Sequence, residues 1–278
     1  MAKTNPQNKK GRFNRRDSNR SRAPEERVDP RENWKPKTQL GHQVKDGTVV
    51  DINEIFDSGE RILEAEIVEV ILPDLKSDLL LIGQAKGKFG GGQRRIFRQT
   101  QKKTREGNKI KFTTCALVGN ENGYFGVSFG KSKETVPARD KSIRKAKLGL
   151  TKIRRGCGSW ACNCGTPHSI PFTIEGKCGS TIVKLMPAPK GNGLCVEKEC
   201  AKILKLAGIK DVLSKTKGQT KTKVNLIKAL LQALSKLGET KIKPDHIAKL
   251  GLVEGHLKEV EREEVEEIKE DKKDKKEK

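Results

Sequence analysis

Residues 84–155 carry 20 Lys and Arg against only 4 Asp and Glu. A stretch this one-sided repels itself when compact. Whatever it folds into must spread the cations over a surface and meet a polyanion there. The other segments are less extreme. Residues 1–36 hold 11 basic and 5 acidic side chains, 37–83 hold 4 and 10, 156–253 hold 16 and 6, and 254–278 hold 8 and 11. The net charge of +23 is therefore concentrated in the middle of the 278 residues. A solvated surface with no partner would intersperse more acids.

Composition limits how much of the chain packs. Apolar residues make up 33% and charged residues 34%, with 8 Phe, 2 Trp and 1 Tyr. That supports modest cores but is lean for one globule of this length, so some unstructured chain is expected. Residues 1–33, rich in Arg, Asn and Pro, are expected to be a disordered basic tail that orders on RNA. Residues 258–278 are almost purely Lys, Glu and Asp and read as a frayed helix or solvated tail. No apolar run reaches the length of a bilayer span. The polar N-terminus lacks the hydrophobic core of a secretory signal. Seven cysteines, three of them within eight residues, fit a reducing, cytoplasmic setting better than a disulfide framework.

Periodicity then gives the elements. Ile67, Val68, Ile71, Leu72, Leu75, Leu79 and Leu80 recur at helical spacing in an acidic stretch. Lys109 to Val118 alternates as a strand, with Ile110, Phe112, Thr114, Ala116 and Val118 on one face and Lys109 and Lys111 on the other. Asn120 to Gly123 is a hairpin signal, and Tyr124 to Phe129 is the return strand. Lys133 to Leu150 reads as a helix with Pro137 in its first turn and Val136, Ile143, Ala146 and Leu150 along one side. Further on, Ile170–Ile174 and Thr181–Met186 read as strands, Glu197–Ala207 as a helix stopped by Gly208, Ile209–Ser214 as a strand, and Thr222–Leu237 as an amphipathic helix. The order is β-β-α-β-α.

Two features carry chemistry. Arg98, Lys102, Lys103, Thr104 and Arg105 form a basic loop suited to phosphate and ribose contacts. Lys131, Lys133, Arg144, Lys145, Arg154 and Arg155 form a second cationic set, and Lys190 sits in the Gly-rich loop Pro187–Gly193. Cys157, Cys162, Cys164 and His168 lie within twelve residues and supply three thiolates and an imidazole, a donor set that zinc accepts tetrahedrally. Their spacing is less regular than paired CxxC knuckles. Free thiols, or a histidine that binds RNA, explain the same residues. Cys115, Cys178, Cys195 and Cys200 fall in strand or helix patterns as small core residues. The glycine runs match neither GxxxxGK[ST] nor GxGxxG, and no carboxylate group stands beside the cysteines as a general base, so an enzyme is not expected.

Seven segments in order carry a resemblance: Gln101–Gly107, Phe112–Gly123, Gly130–Glu134, Lys152–Cys157, Pro167–Pro171, Pro187–Gly193 and Leu206–Val212. From Arg98 to Leu237 the chain resembles the small-subunit ribosomal protein family called S five in bacteria and S two in eukaryotes. Residues 34–83, as in Trp34–Leu40, resemble the upstream extension of the archaeal and eukaryotic branch, and the Cys-Gly-Ser-Trp loop is similar to archaeal members in particular. The resemblance implies an α+β fold with a double-stranded-RNA-binding-like N-terminal domain and a two-layer α/β C-terminal domain. Its boundaries would be a tail at 1–33, a helical extension at 34–97, the first domain at 98–155, the Cys/His loop at 156–169, the second domain at 170–238 and a charged tail at 239–278. It also implies binding of small-subunit ribosomal RNA, a neighbouring S four family protein, proximity to the messenger path, a part in decoding accuracy and no small-molecule substrate. Archaeal-type cysteines are absent from other members, so any zinc would staple a loop and not build the fold. A free-standing double-stranded-RNA-binding regulator is the competing reading.

Overall fold

The computed structural model describes residues 34–85, 92–162 and 164–256. The tails expected at 1–33 and 258–278 and most of the Gly-rich run 87–92 lie outside the described residues. The described chain is α+β. Three short helices come first: α1 (Gln39–Lys45), α2 (Ile52–Ser58) and α3 (Ala65–Ile71). The helical pattern continues to Leu80, but α3 stops at Ile71. Pro73 cannot continue the helix, and the chain re-enters as a strand, β1 (Lys76–Leu79). Its Leu79 and the following Leu80 are drawn to the core by strand pairing, not by a helical face.

The first sheet is built on β3 (Gly107–Gly119). On one edge it pairs with β4 (Tyr124–Ser132), through the Asn120–Gly123 turn that the sequence announces. Along the other edge it pairs first with β2 (Arg98–Thr104) and then with β1. β5 (Leu150–Lys152) adds to β4. The expected basic loop 98–107 is thus a hairpin strand turned by Arg105 and Glu106, with Gly107 at φ 110°. Helix α4 (Thr135–Leu148) crosses one face of this sheet. It buries Ala138, Ser142 and Ala146, whereas Val136, expected inward, is 57% exposed. Small residues face the sheet because α4 rides close to it: a Cβ on Gly126 would lie 2.1 Å from the Ala146 carbonyl oxygen, and one on Gly130 would lie 2.3 Å from that of Ala138.

Thr114, Cys115, Ala116, Leu117 and Val118 are all 0% exposed, so β3 is covered on both faces here, not on one as the alternation implied. Ala116 and Val118 meet α4. Cys115 and Leu117 face the second unit. That unit has a four-stranded sheet ordered β7 (Ile174–Cys178), β8 (Thr181–Pro187), β10 (Val212–Lys217), β9 (Leu194–Cys195), with β9 parallel to β10 and the rest antiparallel. Strand β7 begins where the sequence suggested a strand would end, and β10 starts three residues later than expected. Helix α5 (Lys198–Leu206) is capped by the Glu197 carboxylate, which accepts from the Glu199 and Cys200 amides. Helix α6 (Lys223–Glu239) covers β7 and β8. Leu80, Cys115, Leu117, Phe125, Ile203, Leu204, Val183, Leu185, Leu226 and Leu230 belong to one continuous core. The two units therefore share a core, and α5 is the element between them: Glu121 N donates to Leu206 O at 2.9 Å and Leu81 N to Glu199 Oε2 at 2.9 Å.

The region 239–278 was expected to be tail throughout. Instead, α7 (Pro244–Leu250) and β11 (Val253–Glu254) fold back, and β11 pairs with β6 (Arg154–Arg155). Gly126→Ala should force α4 off the sheet and cost about 1–3 kcal/mol. Gly238→Ala, in open space within α6, should instead stabilise by under about 1 kcal/mol. Urea unfolding of both variants checks the opposite signs.

Candidate nucleic-acid interface and metal centre

Strand alternation sorts the basic hairpin by face. In β3 the face that carries Cys115 and Leu117 continues outward through Thr113, Lys111 and Lys109. Register places Arg98 opposite Thr113, Thr100 opposite Lys111 and Lys102 opposite Lys109, while β4 sets Lys131 beside Thr113. Arg98, Lys102, Lys109, Lys111 and Lys131 thereby share one face with Thr100 and Thr113. Lys102 and Lys109 are directly opposed like charges, an arrangement that costs stability unless an anion lies across it. Lys109 reaches Glu106 in the turn at 2.6 Å, an exposed pair worth little. Among the described residues no carboxylate is within ion-pair distance of Arg98, Lys102, Lys111 or Lys131. The opposite face carries Gln99, Gln101, Lys103, Asn108, Ile110 and Phe112, and is nearly neutral.

The stripe ends in a cleft of about 410 Å³ between the two units, lined by Arg98, Thr100, Thr113, Phe129, Lys131 and Lys228. Lys228 Nζ lies 5.9 Å from the centre of the Phe129 ring. Lys109, Lys111 and Lys228 were missed as candidates. Alternation in phase with Lys102 would have indicated the first two, whereas Lys228 comes from α6 and has no local signal.

Apart from Thr104, the remaining candidates do not gather at this face. Lys103 is on the other side of the hairpin. Arg105 is in its turn, while Thr104 ends β2 on the stripe's face opposite Gly107, its hydroxyl donating to the Gly107 carbonyl at 2.8 Å. Lys133, Arg144 and Lys145 are exposed at the start and along the outside of α4. Lys190 is exposed on the Pro187–Gly193 loop. Arg154 and Arg155 are a correction. The Arg154 guanidinium donates to the carbonyls of Leu237 at 3.2 Å and Thr240 at 2.6 Å and pairs with Glu254. Arg155 is 4% exposed and donates to Asn122 Oδ1 at 3.0 Å and Gly255 O at 2.9 Å. Both fasten the C-terminal strap and are turned away from solvent. Cys195 is also corrected: it is exposed on β9, while Cys115 and Cys200 are buried and burial pushes each thiol up to about 12.

The Cys/His loop leaves β6 and displays Trp160, which is 99% exposed. Behind it the loop turns its polar atoms inward. The donor atoms of Cys157, Cys162, Cys164 and His168 all lie within 4.8 Å of one another. Cys162 Sγ is 3.8 Å from His168 Nε2. A tetrahedral zinc with four such ligands needs donor separations of about 3.8 Å, so the cluster fits with a small contraction. Burial pushes the Cys157 thiol up to about 11, reinforced by the neighbouring Cys164 and Cys162. Burial also acts against the Cys164 thiolate, but hydrogen bonds from Thr166 and the two other thiols outweigh it and bring Cys164 down to about 6. His168 is 6% exposed, and its Nδ1 lies 2.8 Å from Asp211 Oδ2. That pairing leaves Nε2 facing the sulfurs, the arrangement of a metal-bound histidine. Nothing near Asp211 in sequence signals it, since it lies 43 residues from His168. Among the described residues these four groups make up the cluster, and four ligands fill a tetrahedral zinc, which suits a staple and not a catalyst.

Comparison with known proteins agrees with this architecture. Residues 96–154 match the family model of the ribosomal protein S5 N-terminal domain, and residues 176–249 match that of its C-terminal domain. The small ribosomal subunit protein uS5 of Nanoarchaeum equitans is 46% identical over 226 residues, 81% of this chain and 97% of that protein. The uS5 of Methanocaldococcus jannaschii is 44% identical over 224 residues, covering 81% and 96%. That of Staphylothermus marinus is 45% identical over 203 residues, covering 73% and 88%. With both domains matched in order and archaeal relatives aligned nearly end to end, the chain belongs to the uS5 family, structural and non-enzymatic proteins of the small ribosomal subunit, in its archaeal form.

Proposed function

We propose that this protein grips small-subunit ribosomal RNA with the hairpin stripe Arg98, Lys102, Lys109, Lys111 and Lys131, helped by Arg144, Lys145 and Lys190. The opposed pair Lys102 and Lys109 carries the reading: Glu106 in the turn pairs with Lys109 but not with Lys102, and an anion lying over both relieves their mutual repulsion. Phosphates along an RNA backbone meet that need, with Thr100 and Thr113 as neutral donors. A two-stranded arm whose one face is lined with cations suits recognition by shape and backbone. In the assembled subunit we place the protein beside an S four family protein near the path by which messenger enters, where its shared core braces RNA and supports decoding accuracy.

We also propose that a zinc ion staples Cys157, Cys162, Cys164 and His168. The ion supplies four bonds that fix the loop between the two units; the chain's own part is to hold the thiols and Nε2 converged. The described residues contain no helix long and apolar enough to cross a membrane, and the partners are those of a ribosome.

In the double variant Lys102→Gln/Lys109→Gln, affinity for small-subunit RNA should fall. The slope of log affinity against log salt should lessen by about two, one for each phosphate contact removed. Stability of the free protein should hold or rise. An unchanged salt slope in filter-binding titrations would remove the stripe from the interface. For the metal, protein purified without added zinc should carry one zinc per chain by elemental analysis, and Cys162→Ser/Cys164→Ser should carry none while still folding. Equal metal content in both would end the zinc assignment.

A further inference from the structure

Asp211 stands where two loops meet. Its Oδ2 is 2.8 Å from His168 Nδ1, and both side chains are 6% exposed. Its Oδ1 accepts from the Gly191 amide at 3.1 Å and the Gly193 amide at 2.8 Å. Its main-chain carbonyl accepts from the Ser169 hydroxyl, whose oxygen in turn accepts from the Ala188 amide at 3.3 Å. The amides of Lys210 and Asp211 both donate to the His168 carbonyl, at 2.9 and 3.1 Å. One carboxylate therefore ties the Cys/His loop to the Pro189–Gly193 segment.

A purely structural carboxylate would account for the two glycine bonds. It would not need a histidine whose second nitrogen faces a thiol 3.8 Å away, within a ring of three cysteines. By accepting the proton-bearing Nδ1, Asp211 selects the tautomer with a bare Nε2, the form that binds a metal. With Nε2 bound to an ion, the His168 Nδ1–H would be a stronger donor and its bond to Asp211 would tighten. A fixed Asp211 in turn fixes the amides of Gly191 and Gly193. Both glycines have positive φ, 91° and 70°, and beside the two bonds to Asp211 the segment is held by the Asn192 amide on the Pro189 carbonyl and the Val212 amide on the Gly193 carbonyl.

We propose that Asp211 is a positioning residue for the ion at Cys157, Cys162, Cys164 and His168, and that through it ion binding orders the loop presenting Lys190. This rests on the zinc reading above. Coupling of this kind is reciprocal: a phosphate held at Lys190 strengthens ion binding by the factor that the ion strengthens phosphate binding.

Asp211→Asn tests it in the full chain. The amide keeps an oxygen for Gly191 and Gly193, but its NH₂ faces Nδ1 and drives the histidine proton onto Nε2, the wrong tautomer for a metal. Zinc affinity, measured by competition with a chromogenic chelator, should fall about 10–100-fold with far-ultraviolet circular dichroism unchanged. In the wild-type protein, amide exchange at Gly191 and Gly193 should slow when zinc is added to the chelated form; in the variant it should not. If the wild type holds no zinc at all, the zinc reading and this inference fall together. If it holds zinc and Asp211→Asn binds it equally well, the positioning role is overturned with the zinc site intact. Should the variant not fold, the wild-type exchange decides alone: protection at the two glycines that ignores zinc overturns the coupling.

Discussion

The structure depends on burying β3 from both sides. From Thr114 to Val118 every side chain is fully covered, with α4 on one face and the second unit on the other. A strand in that position cannot bear charge, so the cations of this region are displaced to its outer half and to the exposed side of α4. The separation is visible within one strand: Gly107 to Lys111 is exposed, Phe112 and Thr113 are half-buried, and the rest is core. On the helix side α4 rides close to the sheet, with Gly126 and Gly130 of β4 beneath it. Charge that is not displaced is neutralised locally. The acidic extension packs on the basic elements: Glu69 pairs with Lys147, Asp57 with Lys152 at 2.7 Å and Asp78 with Lys202 at 3.0 Å. What remains unpaired on the hairpin face is therefore a remainder left by the fold, which makes it informative about a partner.

The two kinds of basic residue show how far local sequence carries. Arg154 and Arg155 look like the end of the cationic run, yet they are turned inward because β6 has a partner strand contributed from about a hundred residues away. Nothing in Arg-Arg distinguishes a guanidinium that meets carbonyls from one that meets phosphate. The difference lies in whether later chain returns to cover it. The region after Leu237 reads as charged tail because its hydrophobic content is low, and that is consistent with a strap held by polar contacts: Arg155 to Gly255, Arg154 to Thr240, and Cys157 N to Leu250 O at 2.8 Å.

Much else was legible for definite reasons. The Asn120–Gly123 turn, the Gly208 stop and the Leu-rich face of α6 are local signals backed by burial on one side, so periodicity and packing agree. Where they disagreed, the sequence misled. Strand β2 carries Arg98 to Thr104 almost wholly exposed, so it has no apolar alternation and reads as loop. The stretch after Ile71 keeps a helical spacing of leucines, but Pro73 and the free edge of β3 redirect it to a strand. The Cys/His cluster was legible as a set of donors because its spacing is local, whereas its supporting carboxylate was not, because the chain folds a sheet and a helix between His168 and Asp211.

The same contrast bears on how the protein meets RNA. A two-stranded arm by itself is only marginally stable in water, and this one adds a like-charge pair across its strands. It stays formed because β3 continues without a break into the doubly buried core, so the arm inherits its direction from the packing of two units. The Lys190 loop has no such continuity; it follows a β-strand and is held by polar contacts, among them the Gly191 and Gly193 amides on Asp211 and the Val212 amide on the Gly193 carbonyl. An arm braced by hydrophobic packing changes little with ionic conditions in the free protein. A loop braced by Asp211 depends on whatever fixes His168. The cationic surface thus combines a part set by the core with a part set by a polar link, and only the second can be adjusted without disturbing the fold.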